Sequence, residues 1–332
     1  MGKYCILVTG GAGYIGSHTV KELLKQGYEL VVVDSLENGF ENAVVGGKLV
    51  KCDLRDKEQL NQIFAENKID GVVHFAAYAS VPDSVENPAK YFDNNITGGM
   101  NLLEAMRGNG VRRIVFSSSA SVYGEPQSEV TNEDHPKSPT NPYGLTKWQF
   151  EQILGAYDRA YGIKSVSLRY FCASGADPDG KIGENHDPET HVIPLAILTA
   201  LGKREAFKIF GDDYPTPDGT GIRDFIHVSD LAGIHVAALK YLDNGCGTDY
   251  FNCGNKKGYS VKEIIEWVKK ISGKEFKVIV EGRRPGDPAR LIADSSKMSD
   301  VLGYKNQYSD LKTIIETAWE WYKKHPNGYK EK

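Results

Sequence analysis

Long apolar runs are absent from this 332-residue chain. A membrane-spanning helix needs about 18 or more apolar residues in a row, so none is expected. Cysteine is scarce and unpaired: there are five, an odd number, with no Cys-x-x-Cys. That argues against a disulfide framework and against a thiolate zinc site. Cys5 and Cys52 sit in or beside apparent strands and read as buried thiols, which fits a reducing cytosol. Excess charge of either sign is also lacking. The net charge of −4 implies no basic surface for nucleic acid, and Arg112-Arg113 or Lys269-Lys270 read as solvated faces. The eight histidines show no metal-ligand spacing, so no metal is expected, and His18 and His227 are read as structural. The first residues run straight into a strand and glycines, without the apolar region and cleavage site of a signal peptide; a cytoplasmic protein is expected.

What is present is a repeating alternation. "YCILVTG" suits a buried parallel strand. "GGAGYIG" follows, then "SHTVKELLKQG" with Val20, Leu23 and Leu24 at helical spacing, then "YELVVVD" ending in Asp34. The glycines fit two templates, Gly11/Gly13/Gly16 and Gly10/Gly13/Gly16. Either puts bare backbone amides at a helix N-terminus, where a pyrophosphate binds, with Asp34 placed to accept from ribose hydroxyls. Without a ligand, the same loop would be only a tight strand–helix turn. The alternation continues through "KLVKCD", "DGVVHFAA", "RRIVFSSSASVYG" and "KSVSLRYF", each followed or preceded by a helical pattern. This predicts an α/β fold: a Rossmann-type doubly wound parallel sheet, with a smaller, less regular α/β part after it. The first domain is expected over 1–172 and the second over 173–332, with segments such as 224–254 returning to the first. Asp34, Asp53, Phe75-Ala76, Ser117 to Ser119 and Phe171 all fall at strand ends, where ligands bind in such sheets.

The stretch "NPYGLTK" then gains meaning. Asn141 is a favoured N-cap and Pro142 a favoured first helical residue, so Tyr143 and Lys147 share one helix face. Tyr-x-x-x-Lys is weak alone, and a second copy, Tyr308 to Lys312, reads as part of an amphipathic C-terminal helix. Ser119 ends a strand on the same side of the sheet as Tyr143. A Ser hydroxyl, a Tyr phenol and a Lys ammonium beside a nicotinamide would form a site for proton and hydride transfer. At roughly 6 Å and an effective dielectric near 20, Lys147 would favour the phenolate by about 3 kcal/mol, roughly two pKa units.

These motifs resemble the extended short-chain dehydrogenase/reductases, and within them the UDP-glucose 4-epimerase family. The likeness runs from "VTGGAGYIGSHTV" through "YFDNNITG", "FSSSASVYG", "NPYGLTK", "LRYF", "IFGDDYPTPDGTGIRDFIHVSDLA" and "RRPGDPARL" to "HPNGY". It implies a tightly held NAD and interconversion of UDP-galactose and UDP-glucose through a transient 4-keto sugar. Ser119, Tyr143 and Lys147 would be catalytic. The cofactor would meet Gly10, Gly13, Tyr14, Ile15, Gly16, Asp34, Ser35, Asn38, Asp53, Leu54, Phe75, Ala76, Ala77, Asn94, Ser117, Tyr143, Lys147, Tyr170 and Phe171. On the substrate side the resemblance places Phe210 by the uracil, Arg223 and Arg284 at the diphosphate and Asp287 at the ribose. Leu291 would line the sugar pocket, beside Ser119 and Tyr143. It also implies a homodimer through helices near Asn94–Arg107 and Tyr143–Arg159.

Three positions depart from the family pattern. Cys172 and His191 stand where the family commonly has Asn, and a thiol is a poor hydrogen-bond partner, whereas His191 can still donate. The segment Tyr78 to Val81 also differs. A sugar-nucleotide 4,6-dehydratase would carry an Asp-Glu pair after Ser119; here Ala120-Ser121 follow. A non-catalytic NAD sensor on this fold would lack the intact Ser, Tyr and Lys.

Overall fold

The protein is described as a computed structural model covering residues 4–284 and 286–329. Pro285 of the turn-rich "RRPGDP" lies outside them. The strands are β1 (Cys5–Thr9), β2 (Glu29–Asp34), β3 (Lys48–Lys51), β4 (Gly71–His74), β5 (Arg113–Ser117), β6 (Lys164–Tyr170) and β7 (Cys172–Ser174). They continue with β8 (Phe207–Phe210), β9 (Ile222–His227), β10 (Asp249–Cys253), β11 (Gly258–Ser260), β12 (Val278–Glu281) and β13 (Arg290–Leu291). The α-helices are α1 (Tyr14–Lys25), α2 (Lys57–Glu66), α3 (Val81–Glu86), α4 (Pro88–Tyr91), α5 (Gly99–Gly108) and α6 (Pro142–Tyr161). After them come α7 (Val192–Ala200), α8 (Val228–Asp243), α9 (Val261–Ser272), α10 (Ser296–Leu302) and α11 (Leu311–Lys324).

Seven strands form one parallel sheet in the order β10-β6-β5-β4-β1-β2-β3. The direction of propagation reverses between β1 and β4, and this switch point opens a crevice at the carboxyl ends of the strands. Two apolar layers cover the faces. On one, Val20 and Leu23 of α1 and Leu231, Ile234 and Leu239 of α8 pack on Ile6, Val8 and Val32. On the other, Leu60 and Phe64 of α2, Leu102 and Met106 of α5 and Phe150 and Leu154 of α6 pack on Leu7, Val31 and Ile114. The strands read as unbroken apolar runs because both faces are buried. Within 224–254, β10 joins this sheet beside β6, whereas β9 lies in a separate small sheet with β7, β11 and β13. A third core holds that part together, built on α7, α9 and α11 around the fully buried Trp321.

Two local features differ from the sequence reading. The helical pattern expected after "DGVVHFAA" is interrupted by a π-helical segment, Phe92–Gly98, between α4 and α5. Wider π turns often occur at functional sites, and this one carries Asn94 and Asn95. Cys52 is buried as expected, but Cys5 is only half-buried at the start of its strand; all five thiols are free. His18 and His227 do take structural roles. His18 Nδ1 lies 2.7 Å from the Tyr14 carbonyl, and His227 caps α8 by accepting from the Ser229 amide at 3.0 Å.

Candidate active site

Site geometry starts at the glycine loop between β1 and α1. Gly10 has φ +71, and a Cβ there would stand 2.6 Å from the Ala76 amide nitrogen. A Cβ on Gly16 would stand 2.1 Å from the Gly10 carbonyl oxygen. These two positions therefore exclude any side chain, and the loop folds tightly against the end of β4. Gly13 differs: a Cβ there would meet only the Gly10 carbonyl at 3.4 Å, so its outer side is open. Gly13 is also the N-cap of α1 and supplies no side-chain cap. The first amides of the helix thus face an open cradle, which fits an anionic pyrophosphate. Tyr14 and Ile15 turn their side chains inward. The Tyr14 hydroxyl donates to the Gly175 carbonyl at 2.6 Å, and Ile15 packs on the sheet core.

Asp34 ends β2 and is buried; its carboxylate accepts from the Ala12 and Leu36 amides, each at 2.9 Å. Burial raises its pKa from the ordinary value and the two amides oppose this. The two bonds fix the carboxylate at the rim of the cradle, the geometry a ribose diol requires. Ser35 accepts from the Glu37 amide at 3.3 Å, and Asn38 is exposed on the same loop. Asp53 is engaged by Arg55, which holds its pKa below the usual carboxylate range, and Leu54 is buried in the second core. Phe75 stacks on His235 at 4.6 Å between centroids, and Ala77 is half-buried beside it in the chain. The Asn94 side-chain amide donates to Asn95, which in turn donates to Thr146 of α6 at 3.1 Å.

Across the crevice the strand end after β5 meets the start of α6. The side chain of Asn141 caps α6 by accepting from the Gly144 amide at 2.8 Å, and Pro142 opens the helix, as the sequence predicts. Tyr143, Lys147 and Ser119 are all buried. The Ser119 side chain lies close enough to the Tyr143 phenol to lower its pKa. The Lys147 ammonium donates to the Ser117 carbonyl at 2.8 Å and lies 5.7 Å from the centre of the Tyr143 ring. The Ser117 hydroxyl bonds to the Tyr170 hydroxyl. Phe171 and Leu291 pack on Ala120, Val122 and Tyr123, so the sugar-side candidate Leu291 stands next to the residues that follow Ser119.

The electrostatics correct one expectation. Burial raises the Tyr143 phenol, opposed by the nearby Ser119 side chain, and burial pushes the Lys147 ammonium down to about 7. The favourable pull of a full charge on Lys147, taken from sequence spacing, is offset because both groups leave water together. Desolvation penalises the charged form of each.

On the second part, the predicted substrate residues pair with one another. Arg223 bonds to Asp287, and the Arg284 guanidinium lies over the Phe210 ring at 3.8 Å. Cys172 opens β7, half-buried, and burial pushes its thiol up to about 11. His191 is the N-cap residue of α7 and its Nδ1 meets Glu184 at 2.5 Å. Tyr78 donates to Glu37 at 2.6 Å. Tyr308 precedes α11 while Lys312 lies within it, exposed beside Glu316, so the second Tyr-x-x-x-Lys does not share one helix face.

Sequence reasoning missed Glu151. It lies one turn after Lys147 on the same face of α6, a spacing that could have revealed it. Its buried carboxylate accepts from Ser118 Oγ at 2.5 Å and from Arg169 Nε at 2.9 Å, and it is the acid that supports charge on Lys147.

The profile of the NAD dependent epimerase/dehydratase family matches residues 6–254. The chain is 51% identical over 325 residues, 98% of each chain, to a UDP-glucose 4-epimerase of Lacticaseibacillus casei. A crystal structure of UDP-glucose 4-epimerase from Brucella ovis in complex with NAD superposes with a TM-score of 0.93 at 46% identity, covering 95% of this chain and 97% of that one. The UDP-Glc/GlcNAc 4-epimerase from Campylobacter jejuni superposes with a TM-score of 0.85 at 43% identity, covering 97% and 99%. With the family profile spanning most of the chain, and relatives this similar over nearly all of it, the chain belongs to the NAD dependent epimerase/dehydratase family.

Proposed function

We propose that this enzyme interconverts UDP-galactose and UDP-glucose. The carrying observation is the joint burial of Ser119, Tyr143 and Lys147 where the strand end after β5 meets the start of α6, with Lys147 one turn on from Tyr143 and its ammonium bonded to the Ser117 carbonyl. Gly10, Gly13 and Gly16 would seat the pyrophosphate of NAD, Asp34 an adenosine ribose, and Lys147 the nicotinamide ribose. When bound, NAD supplies the hydride acceptor and donor for sugar carbon 4, so no net oxidation occurs. Tyr143 Oη takes the proton of the sugar 4-hydroxyl, and Ser119 Oγ holds the same oxygen. The 4-keto sugar turns in the pocket to present its other face. Tyr143 Oη then returns the proton, completing the inverted alcohol. Arg223 and Arg284 would exchange Asp287 and Phe210 for the substrate diphosphate, a geometry that suits a guanidinium fork. Leaving Ser119 followed by Ala120 and Ser121, with no acid, favours epimerisation over elimination of water. A homodimer and a place in galactose metabolism belong to the same reading, supported by the family resemblance alone. The direct test incubates the purified protein with UDP-galactose and no added cofactor. UDP-glucose should appear; its absence, with NAD present in the protein, overturns the reading.

Two further results are expected. Asp34 would repel a 2′-phosphate, so denaturing the purified protein should release NAD; mass spectrometry finding mainly NADP would contradict this assignment. By the family resemblance, a Tyr at position 291 would crowd out an N-acetyl group and a shorter residue would admit it, so with Leu291 activity on UDP-N-acetylglucosamine is expected beside UDP-glucose. Crowding by a larger side chain costs of order 1–3 kcal/mol, so Leu291→Tyr should reduce the acetylated substrate selectively and by degrees. Equal turnover of that sugar by wild type and Leu291→Tyr, or none by wild type, would remove Leu291 from the pocket.

A further inference from the structure

Between β7 and α7 the chain reads "ENHDPETH", residues 184–191. Its spacing matches no familiar metal motif. Folded, it brings Glu184, His186, Glu189 and His191 together, one donor atom of each within 4.8 Å of the others. Each imidazole faces each carboxylate. The Nδ1–oxygen distances are 2.5 Å for His191–Glu184, 3.3 Å for His186–Glu184, 3.6 Å for His191–Glu189 and 3.7 Å for His186–Glu189.

We propose that these four side chains form a binding site for one divalent transition-metal ion of the zinc class. Tetrahedral zinc with bonds of about 2.0–2.1 Å sets its donors about 3.3 Å apart. Three of the four contacts, at 3.3, 3.6 and 3.7 Å, stand near that spacing, and the ion would displace the proton that joins His191 to Glu184 at 2.5 Å. Two imidazole nitrogens among the donors favour zinc, cobalt or nickel over magnesium or calcium. The carboxylates are held before any ion arrives. The Glu184 and Glu189 side chains are only 3% and 6% exposed, and Glu189 Oε1 accepts from the Thr190 and His191 amides at 2.7 and 2.8 Å. Two buried carboxylates this close need a compensating positive charge, and among the described residues their ion pairs run to these two histidines. A dication meets that need with neutral imidazoles. The histidines, at 37% and 58% side-chain exposure, leave a path for the ion to enter. His186 also packs edge-on to Tyr14, 6.3 Å between centroids, and the Tyr322 hydroxyl reaches Glu189 at 3.5 Å. An ion here would pin the 184–191 segment against the start of α1 and against α11. It would hold His191 by Nδ1 and leave Nε2 as the nitrogen able to reach a substrate. The proposal does not depend on the sugar that is turned over.

The probe is Co2+ added to chelator-treated holoenzyme, read by visible d–d absorption. A stoichiometric end point with the intense bands of a tetrahedral site, displaced by Zn2+, is expected. His186→Gln and Glu189→Gln should each weaken binding by ~100-fold or more, beyond the 10–100-fold typical of outer-shell changes. Circular dichroism and retained NAD would show that the variants are folded. If either variant fails to fold, the wild-type titration and the zinc content of the purified protein decide alone. Absence of a tetrahedral band, binding only at millimolar Co2+, or equal binding by folded variants would show a plain imidazolium–carboxylate cluster and overturn the proposal.

Discussion

Tyr143→Phe should lose at least ~100-fold in turnover while keeping fold and bound NAD, since ~100-fold is the lower end for removing a general acid–base group. The ring stays and only the oxygen leaves, so the packing of α6 against the strand ends is undisturbed. Ser119→Ala should cost less, because it removes a group that lowers the phenol pKa and not the proton carrier. Tyr308→Phe should cost nothing. The pH profile separates roles. Phenol and ammonium titrate together in a buried site, so any limb of kcat/KM belongs to the pair. With Tyr143 raised by burial, activity should rise with pH as the phenolate forms. Removing a cation raises a neighbouring phenol further, so Lys147→Met should move this limb to higher pH. A Tyr143→Phe enzyme as active as wild type would end the mechanism; an unmoved limb in Lys147→Met would confine Lys147 to positioning.

Glu151→Gln should destabilise the protein by about 3–5 kcal/mol, the scale expected when one partner of a buried ion pair is removed. Arg169 and Glu151 have side chains 1% and 5% exposed and meet at 2.5 Å. Arg169 further donates to the Tyr123 hydroxyl at 3.0 Å, which donates on to Asn252 of β10. The network ties α6, β6 and β10 together behind the strand end after β5. Without the carboxylate, Arg169 is a buried charge with only neutral partners, and Lys147 loses the acid that supports its own charge. The midpoint of unfolding should fall, and the activity limb should shift as well. A double replacement, Glu151→Leu with Arg169→Met, should recover much of the stability, because a well-packed apolar pair can replace a buried ionic one. A loss below about 1 kcal/mol, the scale of an exposed pair, would show that water reaches the network.

The legible parts share one property: they depend on neighbours close in the chain. The αβ alternation, the glycine turn, the Asn141-Pro142 helix start and the Tyr143–Lys147 face all follow from local periodicity, capping and steric demand. Asp34 was legible because a strand of known length places its last residue at the sheet edge. The π segment at Phe92–Gly98 was not, since one inserted residue leaves the apolar pattern nearly unchanged.

By itself, then, the sequence determined the doubly wound sheet, the tight glycine turn and the Tyr143–Lys147 helix face, each built from patterns that are local in the chain. Tertiary structure decided what depends on the surroundings of a group. It turned Lys147 from a fully charged neighbour into a desolvated ammonium, and it set Arg223 on Asp287 and Arg284 on Phe210. It also made Glu151 the hub of a buried network and closed residues 184–191 into a ring of four facing donors. The physical reason is common to all four. Burial and the convergence of charges from separate segments set electrostatics, and neither can be read from spacing along a chain.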